Sequence, residues 1–173
     1  LRPLRAVRFA TVLDFALEPA TEAAIPKTLA VFRKVAAERV HQEFTKLLLA
    51  PKATMGLRLL ASTGLLAEFL PEAATAEFDA VGVAPKDEVI RMALVLLGQP
   101  QPREVMIRLK FPNRTAEETA ALVLRSALPP VDATDAQLRR WLAKLDAARA
   151  PHLLSLHEAR LTAPAGLRAR VEA

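Results

Sequence analysis

The chain has 173 residues and a mass of 18.8 kDa, which fits one large domain or two small packed units and excludes a multidomain machine. Hydrophobic residues make up 52% and charged residues 25%, which argues against disorder, and the absence of cysteine excludes disulfide scaffolds, thiolate metal sites and cysteine nucleophiles. The net charge of +5 sits entirely in residues 1–58, where 10 basic side chains face 5 acidic ones; residues 59–173 carry 14 of each. Only 5 glycines and no alternating β-branched run of strand length predict an all-α fold rich in alanine, leucine and arginine. Prolines mark the element boundaries. The first helix is expected from Leu1 to Asp14, with Leu4, Val7, Ala10 and Leu13 as its inward stripe. A second is expected over 20–33, bent at Pro26, and a third over 36–49 with Val40, Phe44, Leu47 and Leu48 inward. A fourth covers 52–62 and ends near Gly64, with a short turn at 65–69. Residues 71–85, where Pro71, Gly82 and Pro85 interrupt a low-charge, alanine-rich stretch, read as a soft boundary between two subdomains. Helices follow over 86–98, 102–110, 116–127, 135–148 and 151–161. Capping boxes are expected at Thr115 with Glu118 and at Thr134 with Gln137, a hydroxyl meeting a free amide while the second side chain reaches back. Leu138, Trp141, Leu142 and Leu145 give the helix after Thr134 one buried face.

Two clusters of charge invite a chemical reading. Arg2, Arg5 and Arg8 recur every three residues, which places their guanidinium groups within a sector of about 120° near a helix N-terminus. Arginine's planar fork suits phosphate, so this face is a candidate phosphate or nucleotide contact; the ordinary alternative is a solvated basic face with snorkelling stems. In Glu38-Arg39-Val40-His41-Gln42-Glu43, Arg39 and Glu43 are spaced as an i, i+4 pair. Exposed, such a pair contributes a few tenths of a kcal/mol; buried between helices, it would fix their orientation at a desolvation cost. His41, His152 and His157 show no metal-ligand spacing and read as packing or surface residues. No phosphate-cradling glycine loop, Ser-His-Asp arrangement or inward carboxylate pair stands out, and one Trp with no Tyr leaves few aromatic platforms for base stacking. No apolar run reaches the roughly 18 residues that span a bilayer and no signal peptide is visible, so a cytoplasmic location is expected. The opening at Leu1 reads as a fragment of something longer.

The segment LRPLRAVRFATVLDFALEPATEAAI followed by AAERVHQEFTKLLLAPKATMGLRLLASTGLLAEFLPE resembles the bacterial class II tRNA nucleotidyltransferase and poly(A) polymerase family, which includes CCA-adding enzymes. The resemblance covers roughly residues 1–72. It rests on the tail of an E-D-x-x-R motif, here continuing as LRAVRFA, and on an E-R-x-x-x-E motif at Glu38, Arg39 and Glu43. GLLAEFLPE matches the family's exit from the neck; RMALVLL and MIRLKFPNRT further on resemble its body.

The resemblance implies an elongated helical neck over 1–78 and a helical body over 79–173, without the catalytic head that bears the metal-binding carboxylates. The parent enzyme would use Mg²⁺ to transfer CMP or AMP from CTP or ATP to an RNA 3′ end, as CCA-adding enzyme or poly(A) polymerase, with tRNA or another RNA, the nucleoside triphosphate and the head as partners. Arg2 is implied as the base-reading arginine; Pro3 admits a rival register in which Arg5 takes that role. Arg5 and Arg8 are implied as RNA phosphate contacts, and Glu38, Arg39 and Glu43 as structural residues joining neck helices. The fragment by itself is expected to be inactive and to hold no metal or cofactor tightly. With no His-Asp dipeptide in the chain, no phosphohydrolase activity is expected. The alternative is a stand-alone helical RNA- or protein-binding module.

Overall fold

The computed structural model describes residues 1–145 and 147–172, and every described element is helical. The first helix, α1 (Arg2–Leu13), carries Pro3 in its first turn, where a missing N–H costs nothing. Its buried residues are Leu4, Val7, Ala10 and Thr11; Leu13 is 60% exposed. A period of 3.6 carries the stripe from Val7 to Thr11 rather than on to Leu13. The expected second helix is broken at Pro26 into α2 (Pro19–Ala24), a 3₁₀ turn at Pro26–Thr28 and α3 (Leu29–Phe32).

The strongest amphipathic pattern belongs to α4 (Ala37–Leu48), whose buried positions Val40, Glu43, Phe44, Leu47 and Leu48 fall on one face. It packs against α1, and α5 (Ala53–Ser62) packs against both. Gly56 permits that contact, since a Cβ there would lie 2.3 Å from Thr11 Oγ1. Next come α6 (Leu65–Phe69) and, inside the expected boundary, α7 (Phe78–Val83), which buries Phe78, Ala80 and Val81 and packs on α5. A Cβ on Gly82 would meet Thr54 Oγ1 at 2.1 Å, and that hydroxyl donates to the Phe78 carbonyl at 2.8 Å.

The centre of the molecule is α8 (Glu88–Val95), capped by the Asp87 carboxylate accepting from the Ile90 amide at 2.9 Å. Every residue from Val89 to Val95 is buried, the pattern of a helix surrounded by others. Around it lie α4, α7, α10 (Asn113–Leu124) and α12 (Ala150–Ala159), while α9 (Pro102–Arg108) packs on α10. The Thr115–Glu118 box does not form. Pro112 starts α10 at Asn113, which puts Thr115 inside the first turn, and Glu118 accepts from Arg114 Nε at 2.8 Å instead. The Thr134–Gln137 box forms: the Thr134 amide donates to Gln137 Oε1 at 2.8 Å and the Gln137 amide to Thr134 Oγ1 at 3.3 Å. It opens α11 (Asp135–Leu145); the expected continuation to 148 crosses Asp146, which lies outside the described residues. A terminal α13 (Leu167–Glu172) joins α11 and α12 in a small apolar cluster of Leu138, Leu154 and Leu167. The main core runs without a break from Leu4 to Leu156.

Candidate nucleotide and RNA interface

The two sequence motifs meet in space. Glu43 occupies the middle of the apolar face of α4 and is 9% exposed, so its carboxylate requires a partner. Arg8 supplies it, donating from Nε to Glu43 Oε2 at 2.5 Å. The Arg8 guanidinium also lies 3.8 Å from the centroid of the Phe9 ring, a stacked cation–π contact. Arg5 Nε is 3.8 Å from Glu43 Oε1 and its guanidinium 5.8 Å from the Phe9 ring, with half of its side chain in solvent. The expected Arg39–Glu43 pair is not formed. Arginine N-terminal to glutamate is the weaker i, i+4 order, and the close approach of α1 offers Glu43 a better-placed guanidinium.

Arg39 is exposed and forms no ion pair among the described residues. Arg2, in the first turn of α1, is likewise exposed and forms no ion pair among the described residues. Glu38 instead lies 3.7 Å from Lys110 Nζ. The structure thus separates the arginine cluster by role. Arg2 and Arg39 present uncommitted guanidinium groups, Arg5 is shared between Glu43 and solvent, and Arg8 is committed to Glu43. Such a cluster offers hydrogen-bond donors and positive charge, which suits phosphate or the acceptor edge of a base.

No side chain near this cluster is arranged for proton transfer. His157 is buried, with Nε2 2.5 Å from the Ser126 carbonyl and Nδ1 2.7 Å from Thr162 Oγ1; burial pushes its pKa down. His41 packs edge-on to Phe111 at 4.3 Å, and His152 lies 3.8 Å from Asp87. Among the described residues no group of three histidines or carboxylates could hold a metal ion. With Glu43 taken by Arg8 and Glu38 beside Lys110, the residues present do not fit a Mg²⁺ site.

Sequence reasoning missed Arg91. It is 2% exposed and donates to four backbone carbonyls: Nη1 to Leu48 at 2.6 Å and Ala50 at 3.0 Å, Nη2 to Ala84 at 2.8 Å, and Nε to Pro85 at 2.9 Å. One guanidinium thereby caps the C-terminal ends of α4 and α7, where orphan carbonyls and the helix dipoles favour a cation. Burial lowers its pKa. A single charge inside the apolar run RMALVLL was the available signal.

Comparison with known proteins places this geometry. Residues 14–77 match the family described as "Probable RNA and SrmB- binding site of polymerase A". A CCA-adding enzyme from Geobacillus stearothermophilus is 32% identical over 174 residues, covering 96% of this chain and 42% of the relative. One from Streptococcus sanguinis is 44% identical over 72 residues, 42% of this chain and 18% of the relative. The crystal structure of the Bacillus stearothermophilus CCA-adding enzyme in complex with CTP matches 99% of this chain and 46% of its own at 32% identity, with a TM-score of 0.78. The chain belongs to the CCA-adding enzyme family, as its helical neck-and-body region. It spans less than half the length of these relatives. Within the CCA-adding frame, LRAVRFA forms α1 and E-R-x-x-x-E forms α4, and the Arg8–Glu43 contact joins them.

Proposed function

We propose that this chain is the nucleotide- and RNA-contacting neck and body of a template-independent RNA nucleotidyltransferase. The parent enzyme would transfer CMP or AMP to an RNA 3′ hydroxyl, with a catalytic head outside this chain carrying the Mg²⁺-binding carboxylates. The observation that carries the reading is the match of 99% of the chain, at 32% identity and a TM-score of 0.78, to a CCA-adding enzyme in complex with CTP. Arg2 and Arg5 are the nucleotide contacts, because their guanidinium groups stand at the exposed corner of α1. Arg5 also faces RNA phosphate. Arg8 acts through Glu43, holding α1 against α4 so that Arg5 is presented at a fixed height. The division into neck 1–78 and body 79–173 is one of role rather than of packing. No helix among the described residues is long and apolar enough to cross a membrane, and on this reading the enzyme works in the cytoplasm.

The chain alone, incubated with Mg²⁺, labelled CTP or ATP and a tRNA lacking its 3′ end, should incorporate no label above a protein-free blank. It should still bind that tRNA with micromolar or weaker affinity at low salt. Each phosphate contact adds a slope of about −0.7 to −0.9 in log K against log salt, so two or three contacts give a shallow dependence. Arg2→Glu with Arg5→Glu should weaken this binding more than Arg139→Glu with Arg140→Glu. Label incorporation, or binding indifferent to Arg2 and Arg5, contradicts the assignment.

A further inference from the structure

We propose a second nucleotide-binding site, apart from the α1 corner, in the cleft between the exit of α10 and the end of α11: Trp141 stacks an unpaired RNA base while Arg125 and Lys144 hold its phosphates. This rests on the RNA-binding reading above and adds to it a site and a ligand class. The cleft has a volume of about 400 Å³ and is lined by Arg125, Ala127, Trp141, Lys144 and Leu145. That volume falls in the ordinary range for small-ligand sites.

Trp141 is half-buried, and its indole N–H donates to the Ala127 carbonyl at 3.2 Å. The ring is therefore fixed in orientation before any ligand arrives, which reduces the ordering cost of stacking. Leu145, one turn further along α11, is buried. Arg125 is the C-cap residue of α10, and Lys144 lies in the last turn of α11. Both helix ends carry partial negative charge that keeps a cation in place without a carboxylate. Neither residue forms an ion pair among the described residues, and the described residues that line the cleft include no carboxylate. Several other arginines of the chain are paired with acids, as with Arg58 and Asp79, Arg108 and Glu72, Arg160 and Glu77, and Arg168 and Glu158. The lining thus offers one apolar aromatic face flanked by two donor-only cations, the complement of a base with its phosphates.

Trp141 is the one tryptophan of a chain without tyrosine, so intrinsic emission reports this cleft alone. The 173-residue chain is titrated with a short unstructured oligoadenylate carrying an end label. Quenching of Trp141 and anisotropy of the label are followed in parallel. Expected is a single curve for both signals, with binding weakened roughly tenfold or more in Arg125→Glu with Lys144→Glu and in Trp141→Leu. Urea unfolding of the charge-reversal variant should match the parent, since both of its positions are exposed. A rise in anisotropy with unchanged Trp141 emission, or with full affinity in the charge-reversal variant, overturns this site and leaves the RNA-binding reading standing. No change in either signal overturns both.

Discussion

Arg91 is the largest fully buried side chain among the described residues. Its four acceptors are main-chain carbonyls at the ends of two helices, and a buried acceptor left without a partner costs about 1–3 kcal/mol. Arg91→Met fills the volume but orphans the Leu48, Ala50 and Ala84 carbonyls, while that of Pro85 keeps the Asp87 amide at 2.7 Å, so a loss of about 3–5 kcal/mol in urea unfolding is expected, with Arg91→Lys recovering part of it. Glu43 and Arg39 provide a second contrast. Removing the carboxylate strands Arg8, so Glu43→Ala should cost about 2–4 kcal/mol, less than a fully buried pair because Arg8 keeps some solvent contact. Arg39→Ala touches no ion pair and should stay within about 0.5 kcal/mol. At about 2–4 °C per kcal/mol for a chain of this size, thermal melts separate the two; equal shifts would restore a structural role to Arg39.

At the scale of elements, the helix ends decide local stability. Asp14, Lys110 and Leu161 all sit at positive φ just past α1, α9 and α12. After each, the next residue's amide reaches back five positions: Phe15 to Ala10, Phe111 to Met106 and Thr162 to His157. This is the Schellman closure that glycine usually serves. Leu161 is 93% exposed with φ 57°, so its side chain adds strain and little packing. Leu161→Gly should therefore raise stability by about 0.5–1 kcal/mol; an unchanged or lower melting temperature would contradict this. His157 ties α12 to the exit of α10 through the Ser126 carbonyl. Burial, opposed by that hydrogen bond and reinforced by Arg160, holds its pKa below the usual 6.5. Below about pH 6.5 the unfolded chain binds the proton more readily than the folded one. The stabilisation by neutral His157 is complete above that pH and declines as pH falls through it. His157→Gln, which keeps a donor for Ser126, should flatten the stability slope between about pH 5 and 7 relative to the parent.

On the scale of the whole molecule, the neck and body share one interior. The core cluster extends from Leu4 to Leu156. Arg91 of α8 holds carbonyls of Leu48 and Ala50 on one side and of Ala84 on the other, and Arg160 pairs with Glu77 at 2.9 Å. Calorimetry should accordingly show one cooperative transition. Residues 1–78 and 79–173 expressed apart should each lose protected amides, because α5 and α7 would leave buried faces uncovered. Two separate transitions would mean that the halves fold independently.

The helical class, the amphipathic faces of α4 and α11, the Thr134 cap and the two family motifs were legible from residues alone, because each depends on spacing within one segment. A six-residue helix such as α7 gives too few turns for its period to register, so 71–85 read as a boundary although Phe78 and Val81 are buried. Tertiary structure alone decided that Glu43 pairs with Arg8 rather than Arg39, that Arg91 satisfies four carbonyls, and that Trp141 lines one cleft with Arg125 and Lys144. Periodicity states that a face is buried but not what covers it. A buried charge takes the partner that helix crossing brings within hydrogen-bond reach, and that crossing is set by close approaches such as Gly56 on Thr11.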